Sequence, residues 1–152
     1  MDFTIIKKHE GFKSKPYLCP ASVPTIGYGS TIYEDGKKIK LTDPEITPER
    51  AEKLLESHVI KRTLPIINKY VKRKLNNNEL SALVSFVYNT GGGYNDKAGK
   101  WHPFNLFALI EHNEPESKMR AYWEACAVTG GGKKLNGLVT RRKEEVNLYL
   151  TK

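Results

Sequence analysis

Apolar residues recur at helical spacing along most of the chain, and one stretch near the start departs from that rhythm. Phe3 and Ile6 share a helix face with Glu10, so residues 2–10 read as a short helix. Asp2 can cap its start, and Gly11 can end it in a left-handed conformation. Residues 16–42 are instead rich in Tyr, Thr, Ile, Gly and Pro. They contain Glu34-Asp35-Gly36, a hairpin-type turn signal, and a small antiparallel sheet is expected there. Helical spacing returns at residue 47. Thr47 is an N-cap candidate and Pro48 fits the first helical position, with Ala51, Leu54, Leu55 and Val59 following. Pro65 should break or bend this segment, which Ile66, Ile67 and Val71 continue. Asn76 with Glu79 has the form of a capping box, and Leu80, Leu83, Val84 and Val87 then mark the helix expected to be most buried.

Residues 91–101 read as a glycine-rich loop. Pro103 is expected to open a helix carrying Phe104, Leu106, Phe107 and Ile110, and Pro115 another with Met119, Tyr122 and Trp123. Gly130-Gly131-Gly132 reads as a flexible break, and residues 137–150 as the last helix. There is no internal repeat and no Pro/Ser-rich linker. The order is helix, small sheet, then five or six helices, which is an α+β plan. It predicts one domain over residues 1–152. A small sheet lobe spans about residues 13–46, and a larger helical lobe spans about 47–152 plus the N-terminal helix 2–10. A groove between the lobes is a natural place for a long substrate.

Charge changes the picture only in part. The formal net charge is +8 over 152 residues, which favours polyanionic partners such as nucleic acid, anionic membranes or cell-wall polymers, or serves solubility alone. The positive residues are scattered: Lys7-Lys8, Lys37-Lys38, Lys72-Arg73-Lys74, Lys133-Lys134 and Arg141-Arg142-Lys143. That distribution suits general attraction to an anionic envelope better than a shaped nucleic-acid groove, and no RNA-binding, zinc-finger or helix-turn-helix pattern is present. Two cysteines, Cys19 and Cys126, make neither a disulfide framework nor a zinc site, although a bridge between them stays open. No metal or cofactor is indicated. The N-terminus becomes charged before an apolar run builds up, and no window approaches the roughly 18 apolar residues of a spanning helix. A chain made in the cytosol, without stable membrane insertion, is expected.

Glu10 is the candidate for chemistry. It lies on the apolar side of its helix, in the last turn, at the negative end of the helix dipole. Both settings disfavour the carboxylate and favour the protonated acid that a general acid must be near neutral pH. Such a Glu is otherwise a solvated residue beside a helix end. Its sequence neighbours change that reading. Cys19 follows after eight residues and Thr25 after five more, and Thr25 leads into Ile26-Gly27-Tyr28-Gly29. With His9-Glu10-Gly11-Phe12 and Pro16-Tyr17, this stretch resembles the phage-type lysozymes (glycoside hydrolase family 24, the phage endolysins). Their pattern is Glu, eight residues, Asp or Cys, five residues, Thr. Asn78 through Gly91 is similar to the family's central core helix, and Gly131 through Arg142, with Glu145 after it, to its C-terminal segment. The glycine-rich stretch before Phe104 departs most.

The resemblance implies a lysozyme-like α+β fold and hydrolysis of the β-1,4 bond between N-acetylmuramic acid and N-acetylglucosamine in peptidoglycan, for host-cell lysis. Glu10 would protonate the leaving oxygen, Thr25 would orient the attacking water, and Gly29 and Phe104 would meet the glycan. Arg141 would pair with Glu10 or line the groove, or else be a surface charge. Inverting enzymes hold their two carboxyl groups roughly 6.5–9.5 Å apart to fit a water, and here a thiol replaces the second carboxylate. Cys19 could be a thiolate if a cation lowers its pKa, a passive support for the water while Thr25 does most of the positioning, or a nucleophile. The passive role is preferred; mere packing is the plain alternative. Cys126 reads as core. Tyr17, Tyr28 and Trp101 could stack on sugars or simply pack. Two further functions compete: a lytic transglycosylase needing one Glu, and a non-catalytic basic binder of wall or nucleic acid. The chain is expected to act as a monomer, held in the host cytoplasm until a separate membrane-permeabilising protein releases it to the wall.

Overall fold

A computed structural model describes residues 1–151 and divides into two compact units, one of Ile6–Arg62 and one of Met1–Ile5 with the chain from Thr63 onward. Seven α-helices and three two-stranded antiparallel sheets make up the regular structure of the described residues.

The Ile6–Arg62 unit contains the expected small sheet. Helix α1 (Thr4–Glu10) begins two residues later than its pattern suggested, with the Asp2 carboxylate accepting from the Thr4 N–H at 2.8 Å. It ends where Gly11 takes φ +69° and donates to the Lys7 carbonyl at 3.0 Å. Strands β1 (Lys13–Leu18) and β2 (Pro24–Gly27) pair with Tyr17 opposite Thr25, and a register shift lies between Lys13 and Tyr17. Beyond them the chain turns at Glu34-Asp35-Gly36, closed by Tyr33 N–H to the Lys37 carbonyl at 2.8 Å. Helix α2 (Pro48–His58) starts as expected, Thr47 accepting from the Arg50 N–H at 3.2 Å. Its Leu54 joins Ile26 and Ile39 in a buried cluster flanked by Tyr33 and Ile46. A side chain at Gly27 would stand 2.9 Å from the Ala51 methyl, so β2 packs directly on α2.

The α-helix is interrupted just before Pro65, without the chain leaving a helical path. The chain passes from α2 through a π-helical turn (Val59–Thr63) into α3 (Leu64–Tyr70), whose first turn holds Pro65 where a missing N–H costs little.

In the second unit, α4 (Asn77–Thr90) carries the expected capping box, Asn76 accepting from the Glu79 N–H at 2.9 Å and Glu79 accepting from the Asn76 N–H at 2.8 Å. Residues Ser81 through Val87 are all buried, so this helix is covered on every side. It packs on α7 (Asn136–Leu150), which also packs on α6 (Glu116–Ala125). Three expectations fail here. Residues 91–101 are not simply a loop: β3 (Gly93–Asn95) pairs with β4 (Trp101–Pro103). Pro103 ends that strand, and α5 begins only at Leu106 and runs to Glu111. The triple glycine is no loose break, since Gly131 and Gly132, at φ +56° and +78°, form the tight turn between β5 (Thr129–Gly130) and β6 (Lys133–Lys134). Both thiols are free, and Cys126 is buried as expected.

Candidate active site

Glu10, Cys19 and Thr25 all belong to the Ile6–Arg62 unit, and local geometry explains how each is held. Glu10 is the last residue of α1 and is half-buried. Cys19 follows β1 and opens a tight turn. Its N–H donates to the Val23 carbonyl at 3.1 Å, and its carbonyl accepts from Ser22, which stands at φ +58°. The turn returns the chain into β2 with Thr25, 3% exposed, donating its hydroxyl to the Val23 carbonyl at 2.9 Å.

The electrostatics tie the three residues together. Backbone N–H groups at Val23 and Ala21, aided by the Thr25 hydroxyl, bind the Cys19 thiolate and lower its pKa below that of an ordinary thiol. The thiolate option therefore has a cause other than the cation first considered. Tyr17, opposite Thr25 across the ladder, is pushed up by burial and then by the negative charges of Cys19 and Glu10. Its phenol thus lies in the field of both groups. The sequence offers Tyr17 only as a ring that stacks on sugars or packs. The cross-strand pairing that gives it this position follows from the register, which the residue pattern did not specify.

Of the remaining candidates, Gly29 belongs to the same unit, and Phe104 and Arg141 to the other. Gly29 takes φ +89° in the turn after β2, where Ile26 and Ser30 exchange backbone hydrogen bonds at 2.9 Å. Phe104 lies in the other unit, edge-on to Phe86 at 5.5 Å and tilted against Tyr94 at 5.8 Å. Arg141, also there, is 3% exposed, which excludes the surface-charge reading. Its guanidinium donates to the Ser85 carbonyl and to Glu145, each at 3.2 Å. Glu145 accepts as well from the Ser85 hydroxyl at 2.7 Å, the Trp123 indole at 3.1 Å and Arg142 at 3.1 Å. Arg142, fully buried, lies over the Phe86 ring. This charged cluster went unrecognised in the sequence, though Arg141, Arg142 and Glu145 sit at the i, i+3 and i+4 spacing of one helix face. Among the described residues no group of three or more His, Cys, Asp or Glu side chains could hold a metal, and no helix is long and apolar enough to cross a membrane.

The fold defines the class first. The chain superposes on the endolysin of Escherichia coli O157:H7 phage FAHEc1 with TM-score 0.76 and 31% identity, covering 97% of this chain and 89% of that one, so its α+β fold is a lysozyme fold. The phage lysozyme family model matches residues 7–145, and the chain belongs to that family. An endolysin of Lactococcus phage c2 is 37% identical over 103 residues, 68% of this chain. The chain spans only 40% of that relative's length. An endolysin of Acyrthosiphon pisum secondary endosymbiont phage 1 is 29% identical over 95% of this chain and 92% of its own length.

Proposed function

We propose that this chain is an endolysin that hydrolyses the β-1,4 bond between N-acetylmuramic acid and N-acetylglucosamine in bacterial peptidoglycan, with Glu10 as general acid. The observation that carries the reading is the setting of Tyr17, which pairs with Thr25 across the ladder while Cys19 and Glu10 both act on its phenol. Glu10 gives its proton to the glycosidic oxygen as the bond breaks. Thr25 turns its single hydroxyl hydrogen to the Val23 carbonyl or to the Cys19 sulfur, and either way its lone pairs are available to hold a water. Cys19, eased toward the thiolate by backbone donors, accepts a hydrogen bond from that water and takes its proton as the water oxygen bonds to the anomeric carbon that the leaving sugar vacates. Gly29 lets a glycan approach the backbone, and Phe104 supplies an apolar face. Arg141 contributes by position, since its guanidinium is bonded to Ser85 and Glu145. In the infected cell the enzyme works as a monomer on peptidoglycan rather than nucleic acid. It waits in the host cytoplasm until a separate protein permeabilises the membrane.

The test is clearing of purified peptidoglycan by the wild type and by Glu10→Gln, with mass analysis of the products. Loss of a general acid is expected to slow clearing about 10²–10⁴-fold, with reducing-end products from the wild type. Anhydro-sugar products would make the enzyme a lytic transglycosylase. Equal clearing by Glu10→Gln, or none by the folded wild type, would overturn the reading and favour a non-catalytic wall binder.

A further inference from the structure

A pocket of about 240 Å³ opens in the Ile6–Arg62 unit, and Glu10, Cys19 and Thr25 do not line it. One wall is the turn Ile32, Tyr33, Glu34 and Gly36, and the other is the face of α2 and the π-helical turn bearing Ser57, His58, Lys61 and Arg62. The π-helical turn matters because it changes the angular spacing of side chains. Such widened turns occur often at functional sites.

The charges around the pocket do not balance. Its only lining carboxylate, Glu34, is held by the Arg50 fork, with Arg50 Nη2 at 2.8 Å from Oε2. Lys61 Nζ donates to the Glu34 backbone carbonyl at 2.6 Å and keeps its full charge and two further N–H groups. Arg62 has no carboxylate partner among the described residues. Asp43 is turned to the Tyr33 hydroxyl and the Lys40 N–H, at 2.9 and 2.8 Å, and Asp35 is paired with Lys37 at 2.9 Å. The surplus at the pocket is therefore Lys61 and Arg62, and His58 and Ser57 line the same wall. Burial, and then the charge of Arg62, hold the His58 pKa below the ordinary imidazole value.

We propose that this pocket is an oxyanion site that takes a phosphate group, bound by Arg62 and Lys61 and completed by His58 and Ser57. Read with the proposed function, on which this part rests, the phosphate is one unit of a glycerol-phosphate polymer of the bacterial envelope. The pocket would then hold the enzyme at the wall without taking part in bond cleavage. An anion placed beside His58 opposes the effect of Arg62, so binding and protonation of His58 support each other. Affinity rises as pH falls through the His58 titration.

The experiment is an NMR titration of the four histidines of the intact chain against pH, at constant ionic strength, with inorganic phosphate or chloride. Phosphate should raise the His58 pKa saturably, by on the order of one unit, and leave the other three unmoved. Arg62→Gln and Lys61→Gln, exposed positions where folding is checked by circular dichroism, should each weaken phosphate binding about tenfold. A glycerol-phosphate polymer should compete with inorganic phosphate for the site. No selective His58 response, or unchanged affinity in both folded variants, overturns the site. A response to phosphate without competition by the polymer, or competition only by an oligonucleotide, overturns its assignment to the wall. Because the titration reads no turnover, it stands or falls separately from Glu10→Gln.

Discussion

The two thiols show how strongly a few atoms of surroundings decide a residue's chemistry. Cys19 is lowered by hydrogen bonds from its own turn, whereas Cys126 is raised by burial. Alkylation by iodoacetamide should therefore label Cys19 first, with a rate–pH midpoint below the ordinary thiol value of 9.0. Thr25→Ala should move that midpoint upward; an unmoved midpoint would show that the hydroxyl does not reach the sulfur. The sequence made Cys19 conspicuous by spacing. It did not reveal the donors, which are backbone groups aimed by the left-handed residue Ser22. His58 was not singled out at all, because a histidine in a helix carries no mark of burial. Its folded pKa lies below the ordinary 6.5, so as pH falls the unfolded chain takes up a proton before the folded chain does. Stability from this group is complete above 6.5 and is lost as pH falls through the window beneath it. Urea unfolding at pH 7.5 and 5.5 should show the loss, and His58→Asn should remove that part of the slope.

At the scale of elements, local chemistry explains which parts could be read in advance. Helices α2 and α4 were legible because their caps are side-chain devices written in sequence: Thr47 with Pro48, and Asn76 with Glu79. The β3–β4 hairpin was not, since Gly93-Tyr94-Asn95 shows no alternation of apolar and polar residues. It is fixed by contacts across its own turn. A Cβ at Gly93 would overlap the His102 carbonyl and the Trp101 ring, so the indole lies flat where only glycine leaves room. Asp96 closes the turn by accepting from the Ala98 and Lys100 N–H groups, each at 2.9 Å, and it pairs with His102 at 2.8 Å. Gly93→Ala should accordingly open this hairpin while leaving α4 intact. Trp101 fluorescence should shift toward that of a fully solvated indole, and limited proteolysis should cut between residues 93 and 103. Unchanged emission and protection would show that the strand tolerates a methyl group.

For the molecule as a whole, the buried charges of α7 weigh more than any single apolar contact. Glu145 meets both arginines, a serine hydroxyl and an indole N–H with almost no access to water. Removing one member of such a set strands the others, and Glu145→Ala should cost about 3–5 kcal/mol of unfolding free energy. Replacing Arg141, Arg142 and Glu145 together by apolar residues of similar size should cost much less, and chemical denaturation of the two variants compares them directly. The α+β order of the chain was readable from its periodicity, but this cluster was not. Three charged residues on a helix usually face solvent, and only the packing of α4 and α6 around α7 turns them inward.

That cluster also constrains how the chain can change. Each of its members is acceptable only in the company of the rest, so the intermediate variants on a path of single substitutions are worse than either end. Positions 85, 123, 141, 142 and 145 form one epistatic block. A library that randomises them separately should return almost nothing but the starting residues, whereas one that randomises them together should recover folded chains with an apolar interior.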